Sequence, residues 1–122
     1  MKRILVVDDH GGFRTEISKL ISLVQPQAQI LQAQNGREGL DLARSERPDL
    51  ILLDVNMPLM DGYETARALN ALPETRTIPL IAMTLSGSEH SATLDHLRPF
   101  CRSVLLKPFG AAQLGAALYP QT

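Results

Sequence analysis

Short apolar runs alternate with helical spacing along the chain. Ile4-Leu5-Val6-Val7 is apolar throughout and predicts a strand buried on both faces. Phe13, Ile17, Leu20, Ile21 and Val24 then follow a helical period, which breaks at Gln25-Pro26. Ala28 to Gln32 alternates apolar and polar residues, as an edge strand does. Asn35-Gly36 opens a second helix with Leu40 and Ala43 facing inward, and Pro48 follows its end. Leu50-Ile51-Leu52-Leu53 is another continuous apolar strand.

Met57 to Gly62 reads as a loop, with Asp61 expected to cap a third helix over Tyr63 to Leu69. Pro73 ends that region, and Pro79 to Met83 is the next strand. Ser88 or Glu89 is expected to open a fourth helix containing Leu94 and Leu97, stopped by Pro99. Ser103 to Leu106 is a fifth strand, and Gly110 to Leu118 a short last helix. Strand then helix, five times over, predicts an α/β fold. Right-handed crossovers make it a doubly wound parallel sheet with helices on both faces. A single flavodoxin-like (βα)5 domain with strand order 2-1-3-4-5 places the apolar strands inside and the alternating one at an edge.

The polar residues fall at the strand ends. Asp8 and Asp9 follow the first strand, Asp54 the third, Thr84 the fourth and Lys107 the fifth. In open parallel sheets, sites form beyond the carboxyl ends, where strand order reverses. Neighbouring strands are roughly 4.8 Å apart, so these acids should converge. Close carboxylates repel, and a divalent cation offsets the repulsion. Oxygen ligands favour Mg²⁺, and no Cys or His cluster argues for zinc. The three acids are balanced by Mg²⁺ together with Lys107. A phosphoryl group would add about two negative charges and seek new donors, among them the Thr84 hydroxyl.

The chain has 122 residues and a formal net charge of −1. That length suits one domain, and the charge argues against nucleic-acid binding through phosphate contacts. The single cysteine, Cys101, excludes an internal disulfide and reads as a small buried hydrophobe. The apolar runs are too short for a membrane span, and the N-terminus is too short in apolar residues for a signal peptide, so a cytoplasmic location is expected.

These residues resemble the receiver domains of two-component response regulators. The motifs are Ile4 to Asp9, Leu52 to Gly62, Ile78 to Thr84 and Leu105 to Phe109; the similarity covers nearly the whole chain, and one receiver domain over residues 1–122 is expected. It implies Asp54 as phosphoacceptor. It implies Asp9 as a direct Mg²⁺ ligand, Asp8 as a direct or water-mediated one, and the backbone carbonyl of Asn56 as another. Thr84 would bind a phosphoryl oxygen and move on activation. Lys107 would pair with the acceptor carboxylate and then with the phosphoryl group. Pro108 would set the following loop through a cis bond. A sensor histidine kinase or histidine phosphotransfer protein would be the donor, with acetyl phosphate as a small substitute. A downstream output domain or partner protein would receive the signal, and a homodimer is left open.

Some positions depart from the family's usual residues. Val104 stands three residues before Lys107, where Tyr or Phe is usual, which questions the coupling of a ring swing to Thr84. Leu85 follows Thr84 where a small residue is usual, and is expected to narrow access to Asp54. Phe100 reads as core or as partner surface. His10 stands where an acid or amide often follows the Asp pair, and could perturb Mg²⁺ affinity once charged. His90 and His96 read as surface residues. A receiver-like interaction module working without phosphorylation is the competing reading, kept open by Val104 and the Pro99-Phe100 segment. A flavin protein or phosphatase is disfavoured. Acids stand where a flavin phosphate loop has Ser, Thr and Gly, and an Asp-x-Asp-x-Thr pattern is lacking. Slow self-dephosphorylation apart, no enzymatic activity is expected.

Overall fold

The computed structural model describes residues 3–57, 62–88 and 91–119. Five strands, β1 (Arg3–Val7), β2 (Gln29–Ala33), β3 (Leu50–Asp54), β4 (Leu80–Leu85) and β5 (Ser103–Lys107), form one sheet in the order β2-β1-β3-β4-β5. Every pairing is parallel. The helices are α1 (Gly11–Val24), α2 (Gly36–Glu46), α3 (Gly62–Ala71), α4 (Ala92–Leu97) and α5 (Ala111–Leu118). The predicted fold class and strand order are those observed.

Period-2 alternation sorts each strand's side chains to two faces. Ile4, Val6, Leu50, Leu52, Ile81, Met83 and Leu105 pack with Ile17 and Ile21 of α1 and with Leu114 and Leu118 of α5. Leu5, Val7, Ile51, Leu53 and Ala82 pack on the other face with α2, α3 and α4. β1 and β3 are buried along their apolar lengths, which is why they read as unbroken hydrophobic runs. β2 keeps its alternation because it lies at the edge. Gly39 lets α2 approach β1 closely: a Cβ there would meet Val7 Cγ2 at 2.8 Å.

Helix starts follow local capping. Asn35 caps α2 by accepting a bond from Glu38 N at 2.8 Å. His10 caps α1 in the same way, its Nδ1 accepting from Phe13 N at 3.1 Å. The start expected for α4 at Ser88 or Glu89 is corrected. Ser91 is its N-cap, accepting from Leu94 N, while Ser88 N closes a turn onto Leu85 O. Arg98 to Phe100 then tighten into a 3-10 turn around Pro99. The cap expected of Asp61, and the positions of Glu89 and His90, lie outside the described residues.

Candidate active site at the carboxyl edge of the sheet

The register brings the polar strand ends together. Val7 is level with Leu53, Asp54 with Met83, and Leu85 with Lys107. The chain leaves β1 directly into Asp8, whose N–H still donates to Ala33 O as though the strand continued. Asp8 is fully buried and Asp54 is 4% exposed, while Asp9 faces solvent. One carboxylate oxygen from each of Asp8, Asp9 and Asp54 lies within 4.8 Å of the others.

Lys107 reaches into this cluster from β5. Its Nζ donates to Asp8 Oδ2 at 3.0 Å and lies 3.3 Å from Asp54 Oδ1. Backbone groups hold the carboxylates as well. His10 N donates to Asp8 Oδ1 at 2.9 Å, and Asn56 N to Asp54 Oδ1 at 3.3 Å. Arg14 of α1 donates to the carbonyl of Asp8 at 2.7 Å and so fixes the start of the loop.

Burial dominates the electrostatics of Asp54. Desolvation pushes its carboxyl up from 3.8 to about 6; Lys107 opposes the rise and Asp8 adds to it. Two buried acids therefore share one ammonium, which leaves a deficit of positive charge. The donor set consists of hard oxygens in a cluster small enough for one ion. That composition fits Mg²⁺, which accepts carboxylates and keeps several of its own waters. The fully buried Thr84 Oγ1 has no hydrogen-bond partner among the described residues, an orphaned donor next to the cleft.

An open cleft of about 350 Å³ leads to Asp54, lined by Asp8, His10, Phe13, Asn56, Leu85, Lys107 and Pro108. The Lys107–Pro108 peptide is cis. Leu85 stands at the mouth and is 58% exposed. Thr84, one residue earlier, faces inward and is not among the lining residues. Val104 lies level with Ala82 and packs against the α2/α3/α4 core. Phe100 packs there too, with its ring 6.3 Å from that of Tyr63. His96 is exposed, although its ring lies 5.7 Å from the same tyrosine.

Sequence reasoning singled out every acid of this cluster, together with Thr84 and Lys107. It missed Phe13 at the cleft, reading it only as part of the helix's apolar face. The Phe13 ring lies 4.2 Å from Lys107 Nζ.

The whole chain compares with known proteins in the same terms. Residues 4–119 match the response regulator receiver domain family. The curated protein PilH of Pseudomonas aeruginosa is 36% identical, over 94% of this chain and 100% of its own length. Other curated relatives are longer, and the chain spans between 27% and 52% of their length. Among solved structures, the chemotaxis response regulator CheY4 of Vibrio cholerae superposes with a TM-score of 0.84 at 28% identity, covering 97% of this chain and 96% of that one. The receiver domain of a sensor histidine kinase of Pseudomonas aeruginosa, solved with magnesium in its active-site cleft, gives 0.82 at 26% identity, covering 93% and 90%. The chain belongs to the response regulator receiver domain family. It is accordingly a phosphoacceptor domain of two-component signalling, a class that binds Mg²⁺ at an acidic pocket.

Proposed function

We propose that Asp54 takes the phosphoryl group, and that Asp8, Asp9, Asp54 and the backbone carbonyl of Asn56 hold Mg²⁺ beside it. The observation that carries this reading is the position of Lys107, whose ammonium lies 3.0 Å from Asp8 Oδ2 and 3.3 Å from Asp54 Oδ1. Bound Mg²⁺ supplies charge neutralisation on the transferring group. Everything else falls to the chain's own side chains.

Asp54 attacks in line. Its Oδ forms the new O–P bond as the P–N bond of a phosphohistidine breaks, and the imidazole, already protonated on its other ring nitrogen, takes the P–N electron pair and leaves neutral. The carboxylate must be ionised to attack; with its carboxyl raised only to about 6, most of it is ionised at neutral pH. Lys107 already touches Asp54 Oδ1 and needs only a small shift to reach a phosphoryl oxygen. The Thr84 hydroxyl, buried without a partner among the described residues, gains one when it turns toward that oxygen. Val104 has no ring to swing inward behind it. The change at Thr84 therefore passes to β4 and α4 by packing alone, a two-state shift of the following loop.

The donor is a sensor histidine kinase or a histidine phosphotransfer protein in the cytoplasm, and the output is an altered contact with a partner protein or output domain. No helix among the described residues is long and apolar enough to cross a membrane. The domain works as a switch and not as an enzyme; water returns it slowly to the unmodified state. Incubation with acetyl phosphate and Mg²⁺, followed by intact mass, tests this reading. A gain of one phosphoryl group that disappears in Asp54→Ala supports it. No gain, or a gain that survives Asp54→Ala, refutes it and favours an interaction module that works without phosphate.

A further inference from the structure

The Lys107 ammonium contacts two carboxylates and also lies over an aromatic ring. Phe13 belongs to the first turn of α1. Its ring centroid lies 4.2 Å from Lys107 Nζ, within the range of a cation–π contact. The ring is itself held in place. Its backbone N–H is tied to the His10 cap at 3.1 Å, and Phe109 meets it edge to face, with centroids 6.1 Å apart and planes at 86°.

We propose that Phe13 is a positioning residue for phosphoryl transfer: its ring face holds the Lys107 ammonium between Asp8 and Asp54. The inference rests on Asp54 being the acceptor. Lysine carries its charge on a flexible four-carbon stem, and an open cleft lies beside this one. Without the ring, the ammonium is free to swing into that cleft toward water. With it, the Lys107 side chain stays 12% exposed and remains 3.3 Å from Asp54 Oδ1. The ring face draws the cation without carrying a negative charge. It therefore fixes the ammonium without adding a further carboxylate to an already acidic cluster. Preorientation of this kind accelerates the transfer because Lys107 need not be ordered during the reaction.

Phe13→Leu keeps apolar bulk and removes the ring, while Phe13→Tyr keeps the ring. Two readouts on the full chain test the role. By NMR, the Lys107 ε-methylene protons are expected upfield in the parent and in Phe13→Tyr, and displaced downfield in Phe13→Leu. The rate of phosphorylation by phosphoramidate with Mg²⁺ is expected to fall about fivefold in Phe13→Leu. It should stay within about twofold of the parent in Phe13→Tyr. In a Lys107→Met background, Phe13→Leu should cost nothing further. Phe13→Met serves as a second ring-free variant if leucine impairs folding.

Unchanged Lys107 resonances in Phe13→Leu overturn the proposal. So does an unchanged rate, a tyrosine variant as slow as the leucine one, or an undiminished loss in the Lys107→Met background. A parent chain that takes no phosphoryl group at all refutes the acceptor reading instead, and the NMR comparison still reports whether the ring holds the ammonium.

Discussion

Lys107 Nζ sits 3.3 Å from Asp54 Oδ1, yet the Asp54 carboxyl is still pushed up to about 6. A single ammonium shared with Asp8 does not offset the cost of burying two carboxylates. The unmodified site is therefore a strained element of an otherwise apolar sheet.

That strain has a sign. The Asp54 carboxyl is raised from 3.8 to about 6 by folding, so the folded chain binds this proton more tightly than the unfolded one. Its favourable contribution is complete below about pH 4 and is lost as the pH rises through about 6. Above that, the ionised group costs at most about 3 kcal/mol. Asp54→Asn should accordingly stabilise the Mg²⁺-free protein by about 1–2 kcal/mol at pH 7.5, with little effect at pH 4. Urea titrations at the two pH values check this.

Added Mg²⁺ should stabilise the parent chain through binding to the folded state alone. At one hundred times its dissociation constant the gain is about 2.7 kcal/mol. EDTA should remove it. In Asp9→Ala, which takes an exposed acid from the cluster, the same Mg²⁺ concentration should give a smaller rise in melting temperature.

Gly62 opens α3 against the backbone that follows Asp54. A Cβ there would lie 2.7 Å from Val55 Cα and 2.8 Å from Val55 O. Backbone cannot yield as a side-chain end can. Gly62→Ala should destabilise the fold by about 2 kcal/mol and slow phosphorylation by displacing the Asp54 loop. Thermal melts and acetyl phosphate kinetics measure the two effects.

Leu85 stands at the mouth of the cleft over Asp54. Its removal should widen access to both donor and water. Leu85→Ala is expected to react faster with acetyl phosphate and to lose its phosphoryl group sooner. An unchanged phosphoryl lifetime would count against a gating role for this side chain.

Cys101 donates its thiol to Leu97 O at 3.3 Å, and burial pushes the thiol up to about 12. The thiolate is the reactive form, so the native chain should resist iodoacetamide at pH 8 and react promptly once unfolded.

Much of this was legible in the chain because parallel strands impose a simple rule. Their carboxyl ends share one edge, so Asp8 and Asp54 had to meet once β1 and β3 were read as neighbours, and Lys107, at the end of β5, reaches them from beyond β4 on its long side chain. The start of α4 was not legible, since Ser88 and Ser91 are both capping-type residues and only the turn onto Leu85 decides between them. The His10 cap escaped notice because histidine is an uncommon cap, and its ring nitrogen does here what an Asn or Asp oxygen does elsewhere. The contact of Phe13 with Lys107 had no local signal. The two residues come from opposite ends of the chain, and the helix period marks Phe13 as apolar without saying what its ring covers.

The most direct test of the central claim is to locate the modification. The chain is phosphorylated by a phosphohistidine donor, reduced with borohydride, which converts an aspartyl phosphate to homoserine, and sequenced by peptide mass spectrometry. Homoserine at position 54 alone, formed only with Mg²⁺ present, is the expected result. Homoserine at another aspartate, or its formation at position 54 regardless of the cation, would contradict the assignment of this acidic cluster.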